Sequence, residues 1–343
     1  MEANGGKTYV VILNYNGWED TVECLKSVLR SQHVSYRIVV VDNNSVDSST
    51  ENILQWAKKR VEEIVVLGID PDNNDLHVRS NVAGHSRVAD VDQTSATGTE
   101  GHFAHTMVII QTRNNGGFAY GNNIGINFAL HQADCEYIWL LNNDTVILPN
   151  TLYELVRHFT LARQKEKLGI LGCIQRFYND PSTVQAVAGA FDKWTARVWN
   201  VGAGSQFLGA ETEISRCDYV YGASMLLSRE CVVAVGLLNE DYFMYYEELD
   251  YAMRAKKKGY SWTVCRGTSI LHKYRASVSR ENNEFTEYYL RRNLLKFYKL
   301  YYPRLIIIPL TKLLLIILRN RFHDRRFEAL YFRIIKESMR KLQ

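Results

Sequence analysis

Short β-branched runs alternate with helical patterns from the start of the chain: Tyr9 to Leu13, a helix near Trp18 to Arg30, Tyr36 to Val41, a helix near Ser49 to Arg60, then Ile64 to Leu67. That alternation commits the chain to an α/β fold with a mostly parallel sheet, because parallel neighbours need a crossover and a helix is the usual one. The rhythm breaks between residues 69 and 106, where Asp, Asn, Ser, Thr and Gly dominate, and this stretch reads as an inserted mobile loop. It resumes with Met107 to Ile110, a glycine-rich turn, a helix from about Ala119 to Leu130, the strand Tyr137 to Leu141 and a helix after Pro149. Gly169 to Ile174, an irregular stretch with Trp194 and Trp199, a helix Leu249 to Lys258 and a strand Ser261 to Val264 follow. From about Glu284 the pattern is helical, basic and aromatic. The expected division is a body, residues 1–285, and a C-terminal extension, residues 286–343.

Charge follows the same division. The total of +4 over 343 residues is too mild for a chain dominated by nucleic acid, so no nucleic-acid partner is expected. Residues 286–343 nevertheless hold 14 Lys and Arg against 4 Asp and Glu, while residues 1–285 hold 27 against 33. An acidic body carries a basic end. With 46% hydrophobic residues and only 5 Pro, the chain can bury a core and falls outside the collagen-like and disordered classes. Six cysteines are scattered without a CxxC pair and follow no signal-peptide pattern, which predicts reduced, core-filling thiols in a cytoplasmic protein.

Polar residues gather directly after the apolar runs. The first strand ends in Asn14-Tyr15-Asn16-Gly17 and the second in Asp42-Asn43-Asn44-Ser45. Open parallel sheets bind ligands at the carboxyl ends of their strands, although the same residues also close strands as turns. The segment Asn114 to Gly125 sets four glycines and four asparagines between a strand and a helix. Such a turn lets backbone N–H groups approach a diphosphate or a sugar, or simply makes a tight helix entry; it is neither GxGxxG nor a Walker loop. Asn142-Asn143-Asp144 follows the strand Tyr137 to Leu141, and Asp144 suits a hard divalent cation that bridges a carboxylate to phosphates, with an Asx turn as the competing use.

Further along, Glu247, Glu248 and Asp250 stand among five aromatic residues between Tyr242 and Tyr251. If a helix begins there, Glu247 and Asp250 share a face and Glu248 points about 100° away, so one carboxylate can serve chemistry while the others are held. Acidic residues in a first turn also complement the helix dipole. His272, after Ile270-Leu271, is either a packed core side chain or a ligand that completes a metal site with Asp144.

In this order, these elements resemble the family 2 glycosyltransferases of the GT-A fold, in particular the branch that includes bacterial rhamnosyl- and galactofuranosyltransferases. The resemblance covers roughly residues 8 to 300 apart from 69–106. It implies a Rossmann-like central sheet flanked by helices, and transfer with inversion from a nucleoside diphosphate sugar, dTDP-rhamnose or a UDP-sugar, to a hydroxyl of a glycan or lipid-linked glycan in cell-surface polysaccharide synthesis. It further implies that Asn14, Asn16 and Asp42 hold the nucleoside and that Asn114, Gly117, Asn123 and Asn143 line the donor. Asn142-Asn143-Asp144 stands where the family has its DxD-like motif, leaving Asp144 and His272 as ligands of Mg²⁺ or Mn²⁺. Glu248 takes the general-base position, with Glu247 and Asp250 in the same cluster. Asp218, Gly222, Ala223 and Tyr246 fall on the acceptor side.

The tail alternates aromatic and basic residues. Its greasiest stretch, Tyr301 to Leu318, is interrupted by Arg304, Pro309 and Lys312, whereas a spanning helix needs ~20 mostly apolar residues. The expectation is a peripheral contact with the anionic inner face of the plasma membrane, against the alternative of packing on the body or across a homo-oligomer interface. Two other functions fit parts of the pattern. A sugar nucleotidyltransferase shares the sheet but typically needs a basic Gly-rich loop after its first strand, and a noncatalytic RNA- or glycan-binding protein would not need Glu248, Asp144 and His272 together.

Overall fold

The computed structural model describes residues 6–32, 35–69, 76–83, 106–273, 283–323 and 327–340. The first half builds β1 (Lys7–Asn14), α1 (Trp18–Val28), β2 (Tyr36–Asp42), α2 (Ser49–Ala57), β3 (Glu63–Ile69), β4 (Leu76–Ala83), β5 (Thr106–Gln111), α3 (Gly117–Leu130), β6 (Cys135–Asn142), β7 (Thr145–Ile147) and α4 (Thr151–Ala162). The second half adds β8 (Leu168–Phe177), β9 (Val184–Ala186), β10 (Ala188–Asp192), β11 (Arg197–Val201), β12 (Ser224–Ser228), α5 (Arg229–Val235), α6 (Glu247–Lys257), β13 (Ser261–His272), α7 (Asn283–Tyr301), α8 (Ile307–His323) and α9 (Glu328–Arg340).

The large sheet runs β4-β3-β5-β2-β1-β6-β12-β8-β13-β7, with β9 paired to β8. Strands β3, β5, β2, β1 and β6 are parallel. β12 lies antiparallel to both β6 and β8, so β8 and its parallel neighbour β13 run the same way as β6. One rim therefore collects the carboxyl ends of seven strands and the start of the reversed strand β12. Alternate residues of each central strand feed opposite cores: Val10 and Ile12 pack with α1, α2 and α4, while Tyr9 and Val11 pack with α3, α5 and α6. Burial on both faces explains why these strands read as continuous apolar runs. Each such side chain contributes on the order of 1.5–3 kcal/mol. All six cysteines are free thiols and five are buried, and burial pushes Cys24, Cys135 and Cys173 up to about 12.

Four sequence expectations change. Within the stretch read as a mobile loop, residues 76–83 form β4, an edge strand antiparallel to β3 whose register shifts between Val66 and Leu67 of β3; residues 70–75 and 84–105 lie outside the described residues. The irregular segment around Trp194 and Trp199 is the hairpin β10–β11. The separate strands at Ser261 and Ile270 are one strand, β13, whose register against β8 shifts between Cys265 and Ser269. Lastly, the boundary at 285 cuts α7, a helix that packs Leu294, Phe297 and Tyr298 against Phe191, Tyr219 and Leu249 of the body. Only the remainder of the tail forms its own cluster, in which Leu313, Ile317, Leu330 and Ile334 of α8 and α9 pack on Leu295.

Candidate active site

The rim of the sheet brings the polar motifs together in strand order. Asn14 pairs with Asp42 across β1 and β2, and Leu13 pairs with Asn142 across β1 and β6. Asn14 is fully buried: its Nδ2 donates to Asp42 Oδ1 (2.7 Å) and Ser45 Oγ (3.0 Å), and its Oδ1 accepts from Thr21 Oγ1 (2.7 Å). Asp42 also accepts from Ser45 Oγ and the Ser45 N–H, while Asn16 accepts from the Val46 N–H and donates its own N–H to Ser45 Oγ. These residues cross-link two strand ends. Ser45, and Thr21, which sequence reasoning passed over, complete the network.

The glycine-rich turn serves a different neighbour from the one expected. Gly117 has φ +87°, and a Cβ there would meet Phe243 O at 2.3 Å, so this residue lets the turn dock on the loop that precedes α6. Phe118 N donates to the same carbonyl at 2.6 Å. Asn123 is 1% exposed and spends Oδ1 on the Leu238 N–H and Nδ2 on Leu238 O and Glu240 Oε1, which makes it a structural pin rather than a donor-facing group. Asn114 is exposed at the turn, and Asn143 donates to Thr21 Oγ1 and Gly17 O.

Asp144 and His272 do meet. His272 pairs with Thr145 across β13 and β7, and its Nε2 lies 3.2 Å from Asp144 Oδ1. Its Nδ1 faces Oε1 of the buried Gln185 on β9 at 2.9 Å, a partner without any sequence signal. Burial pushes the Asp144 carboxyl up, but the charge and hydrogen bond of His272, with help from Lys273, more than offset it and hold the carboxyl below the usual aspartate range. Asp144 Oδ1 is buried, and the neighbour it faces is His272 Nε2. No cluster of three or more His, Cys, Asp or Glu ligands exists among those residues. A carboxylate and an imidazole side by side are donors of a kind that a divalent cation accepts, and they are the two residues here that would hold one.

The carboxylates at the start of α6 divide into three environments. Asp250 is 0% exposed, and its oxygens accept from Arg254 Nε (2.8 Å) and Tyr301 Oη (2.8 Å). That corrects its expected place among the catalytic groups: it braces α6 against α7. Glu247 is also buried, and desolvation together with the Glu248 charge holds its carboxyl well above the usual range. Glu248 keeps a solvent-accessible edge and accepts the Gly222 N–H at 3.1 Å; burial raises its carboxyl, and that N–H and Glu247 only partly restore it.

Glu248 and Asp144 stand on the same rim. Gly222 precedes Ala223, whose carbonyl accepts the Asn142 N–H at 3.1 Å, so a few residues link the Glu248 carboxyl to the Asn142-Asn143-Asp144 turn. A Cβ at Gly222 would fall 3.1 Å from Glu248 Oε1 and 2.7 Å from Phe118. Ala223 itself is buried in the core, and Asp218 is tied to Arg216 and the Phe191 N–H. Tyr246 packs on Phe297 of α7. The loop before α6 is strained, with Phe243, Tyr245 and Tyr246 at φ +57°, +67° and +77°. Bulky residues there cost on the order of 1–3 kcal/mol each.

A mixed sheet with its polar strand-end motifs on one rim and an acidic helix start beside a reversed strand is the architecture of the GT-A glycosyltransferases. The chain belongs to glycosyltransferase-like family 2, whose sequence model matches residues 5–293. It is 23% identical over 231 residues to the low-salt glycan biosynthesis hexosyltransferase Agl10 of Haloferax volcanii, covering 67% of this chain and 73% of that one. Among solved structures, the mannosyltransferase PcManGT from Pyrobaculum calidifontis, in complex with GDP-Man and Mn²⁺, superposes with a TM-score of 0.51 at 13% identity, covering 97% of this chain and 74% of its own. GalNAc-T7 with UDP, GalNAc and Mn²⁺ gives 0.52 at 14% identity, covering 86% and 51%.

Proposed function

We propose that this glycosyltransferase moves a sugar, with inversion, from a nucleoside diphosphate sugar to a hydroxyl of a glycan or lipid-linked glycan during cell-surface polysaccharide synthesis. The observation that carries the reading is the pairing on one rim of a solvent-reachable carboxylate, Glu248, with the Asp144–His272 pair. Glu248 is the general base: it takes the proton of the acceptor hydroxyl as that oxygen attacks the anomeric carbon, and the diphosphate leaves on the opposite side. Its raised carboxyl suits proton acceptance, since a more basic oxygen holds the proton better. Asp144 and His272 would hold Mg²⁺ or Mn²⁺; what a bound cation supplies is charge neutralisation at the departing diphosphate. The donor we favour is dTDP-rhamnose or a UDP-sugar, from the motif likeness to the rhamnosyl- and galactofuranosyltransferase branch, and the hexosyltransferase relative supports a hexose.

A lipid-linked acceptor fits the outer face of α8. Ile307, Leu314, Leu315 and Leu318 are exposed at spacings that set them on one stripe, with Arg304 and Arg319 exposed at its ends. Apolar insertion flanked by cations is the composition of a helix lying in an anionic membrane surface. No described helix is long and apolar enough to cross a membrane.

Release of nucleoside diphosphate from dTDP-rhamnose, UDP-hexoses and GDP-mannose, with Mn²⁺, Mg²⁺ or EDTA, tests the reading. One sugar nucleotide should turn over, EDTA should suppress it, and Asp144→Ala should lose the metal stimulation, by ~10²-fold or more. An Asp144→Ala enzyme with an unchanged metal response contradicts the assignment of that carboxylate.

A further inference from the structure

The strained loop before α6 is gripped from one side by α7, a helix about fifty residues later in the chain. Asn293 of α7 is 0% exposed. Its Nδ2 lies 2.7 Å from Tyr242 O, 2.7 Å from Met244 O and 3.0 Å from Tyr245 O. An amide has two hydrogens, so three carbonyls share them, one bond being bifurcated. Its Oδ1 accepts from Arg292 Nη1, which also donates to Asp241 O at 2.9 Å. One turn on either side, Tyr289 stacks on Phe243 with ring centroids 4.8 Å apart, and Lys296 pairs with Asp241.

Three carbonyls converge because the backbone between them turns through left-handed conformations at Phe243, Tyr245 and Tyr246. Aromatic residues do not hold that conformation alone, since glycine is the residue that adopts it without steric cost. Without the amide the three carbonyls lose the donor they share, Tyr242 O keeping the local Met244 N–H, and the loop would relax. Tyr246 caps α6, and Glu247 and Glu248 are the first two residues of that helix, so any relaxation is passed to the base.

We propose that Asn293 is a positioning residue for Glu248: its side-chain amide fixes the strained loop that sets the start of α6, which makes α7 part of the catalytic apparatus. The proposal rests on Glu248 being the base. Asn293→Asp keeps the shape but replaces the N–H donors with an oxygen that faces the three carbonyls, so it breaks the clamp at nearly constant volume.

The test uses the full chain. Hydrogen exchange needs no ligand, and turnover is read with the sugar nucleotide picked out by the release assay. In Asn293→Asp, exchange of the peptide covering residues 241–250 should rise about tenfold or more while the peptides of β1 and β6 stay protected. Its kcat should fall by ~10²-fold and donor KM should move much less, because Asn14, Asp42 and Asn143 at the strand ends are held by Thr21, Ser45 and Gly17 and not by this loop. In Asn293→Ala/Tyr245→Gly, glycine holds the positive φ without the clamp, and kcat should recover about tenfold relative to Asn293→Ala. Should Asn293→Asp not fold, Arg292→Ala removes the backing bond and should raise exchange at 241–250 alone. Unchanged exchange at 241–250 in either variant overturns the proposal, and so does loosening spread evenly over the sheet. Silence from every sugar nucleotide with the wild-type chain would instead refute the function proposed above, and exchange would still judge the clamp.

Discussion

Two adjacent glutamates do different work because of what surrounds each. Glu247 is buried and Glu248 keeps an edge toward solvent with a backbone N–H to hold it. The sequence placed Glu247 and Asp250 on one helical face with Glu248 turned away, and that geometry survives, since α6 begins at Glu247. Which acid is embedded was not readable, because it depends on aromatic residues and on α7. The burial of Glu247 has a pH consequence. Its folded carboxyl lies above the unfolded value, so stability is full below the usual glutamate range and is lost as pH rises toward the elevated value. Glu247→Gln removes that loss. Thermal unfolding from pH 5 to pH 8 should show the variant gaining on the wild type by a few degrees at the alkaline end; parallel curves would mean that Glu247 is not buried as a carboxylic acid.

At the scale of elements, strands buried on both faces were the readable part, since the middles of β1, β2, β5 and β6 are unbroken apolar runs. β4 and the β10–β11 hairpin escaped because their residues are polar or mixed and only pairing makes them strands. The role of Asn293 escaped for a sharper reason: its partners are backbone carbonyls 48 to 51 positions away, and carbonyls carry no sequence signature. The extension divides likewise. α7 belongs to the body, while α8 and α9 cover Leu295 with one side and expose the Leu314–Leu318 stripe on the other. Removing the whole tail would therefore uncover core, so point substitutions are the cleaner probe. Leu314→Ser/Leu315→Ser/Leu318→Ser should lower flotation with anionic liposomes by ~10-fold or more and leave turnover on a soluble acceptor unchanged. Flotation equal to wild type would remove the membrane contact from the account.

For the whole molecule, a net charge of +4 conceals a division that the fold makes spatial. Glu248, Asp144 and the strand-end network share one rim of the sheet, while the basic surplus belongs to residues 286–343, of which α7 reaches the loop beside Glu248. The order of the polar motifs after the strands was readable because a parallel sheet delivers carboxyl ends to one side. The chemistry of each motif was less so, since Asn14, Gly117 and Asn123 hold loops in place with the same atoms that could have met a ligand. The central claim is that Glu248 removes the acceptor proton. Glu248→Gln, compared with wild type for transfer and for nucleoside diphosphate affinity, tests it most directly: transfer should fall by ~10²- to 10⁴-fold with affinity unchanged. Transfer at the wild-type rate would contradict it.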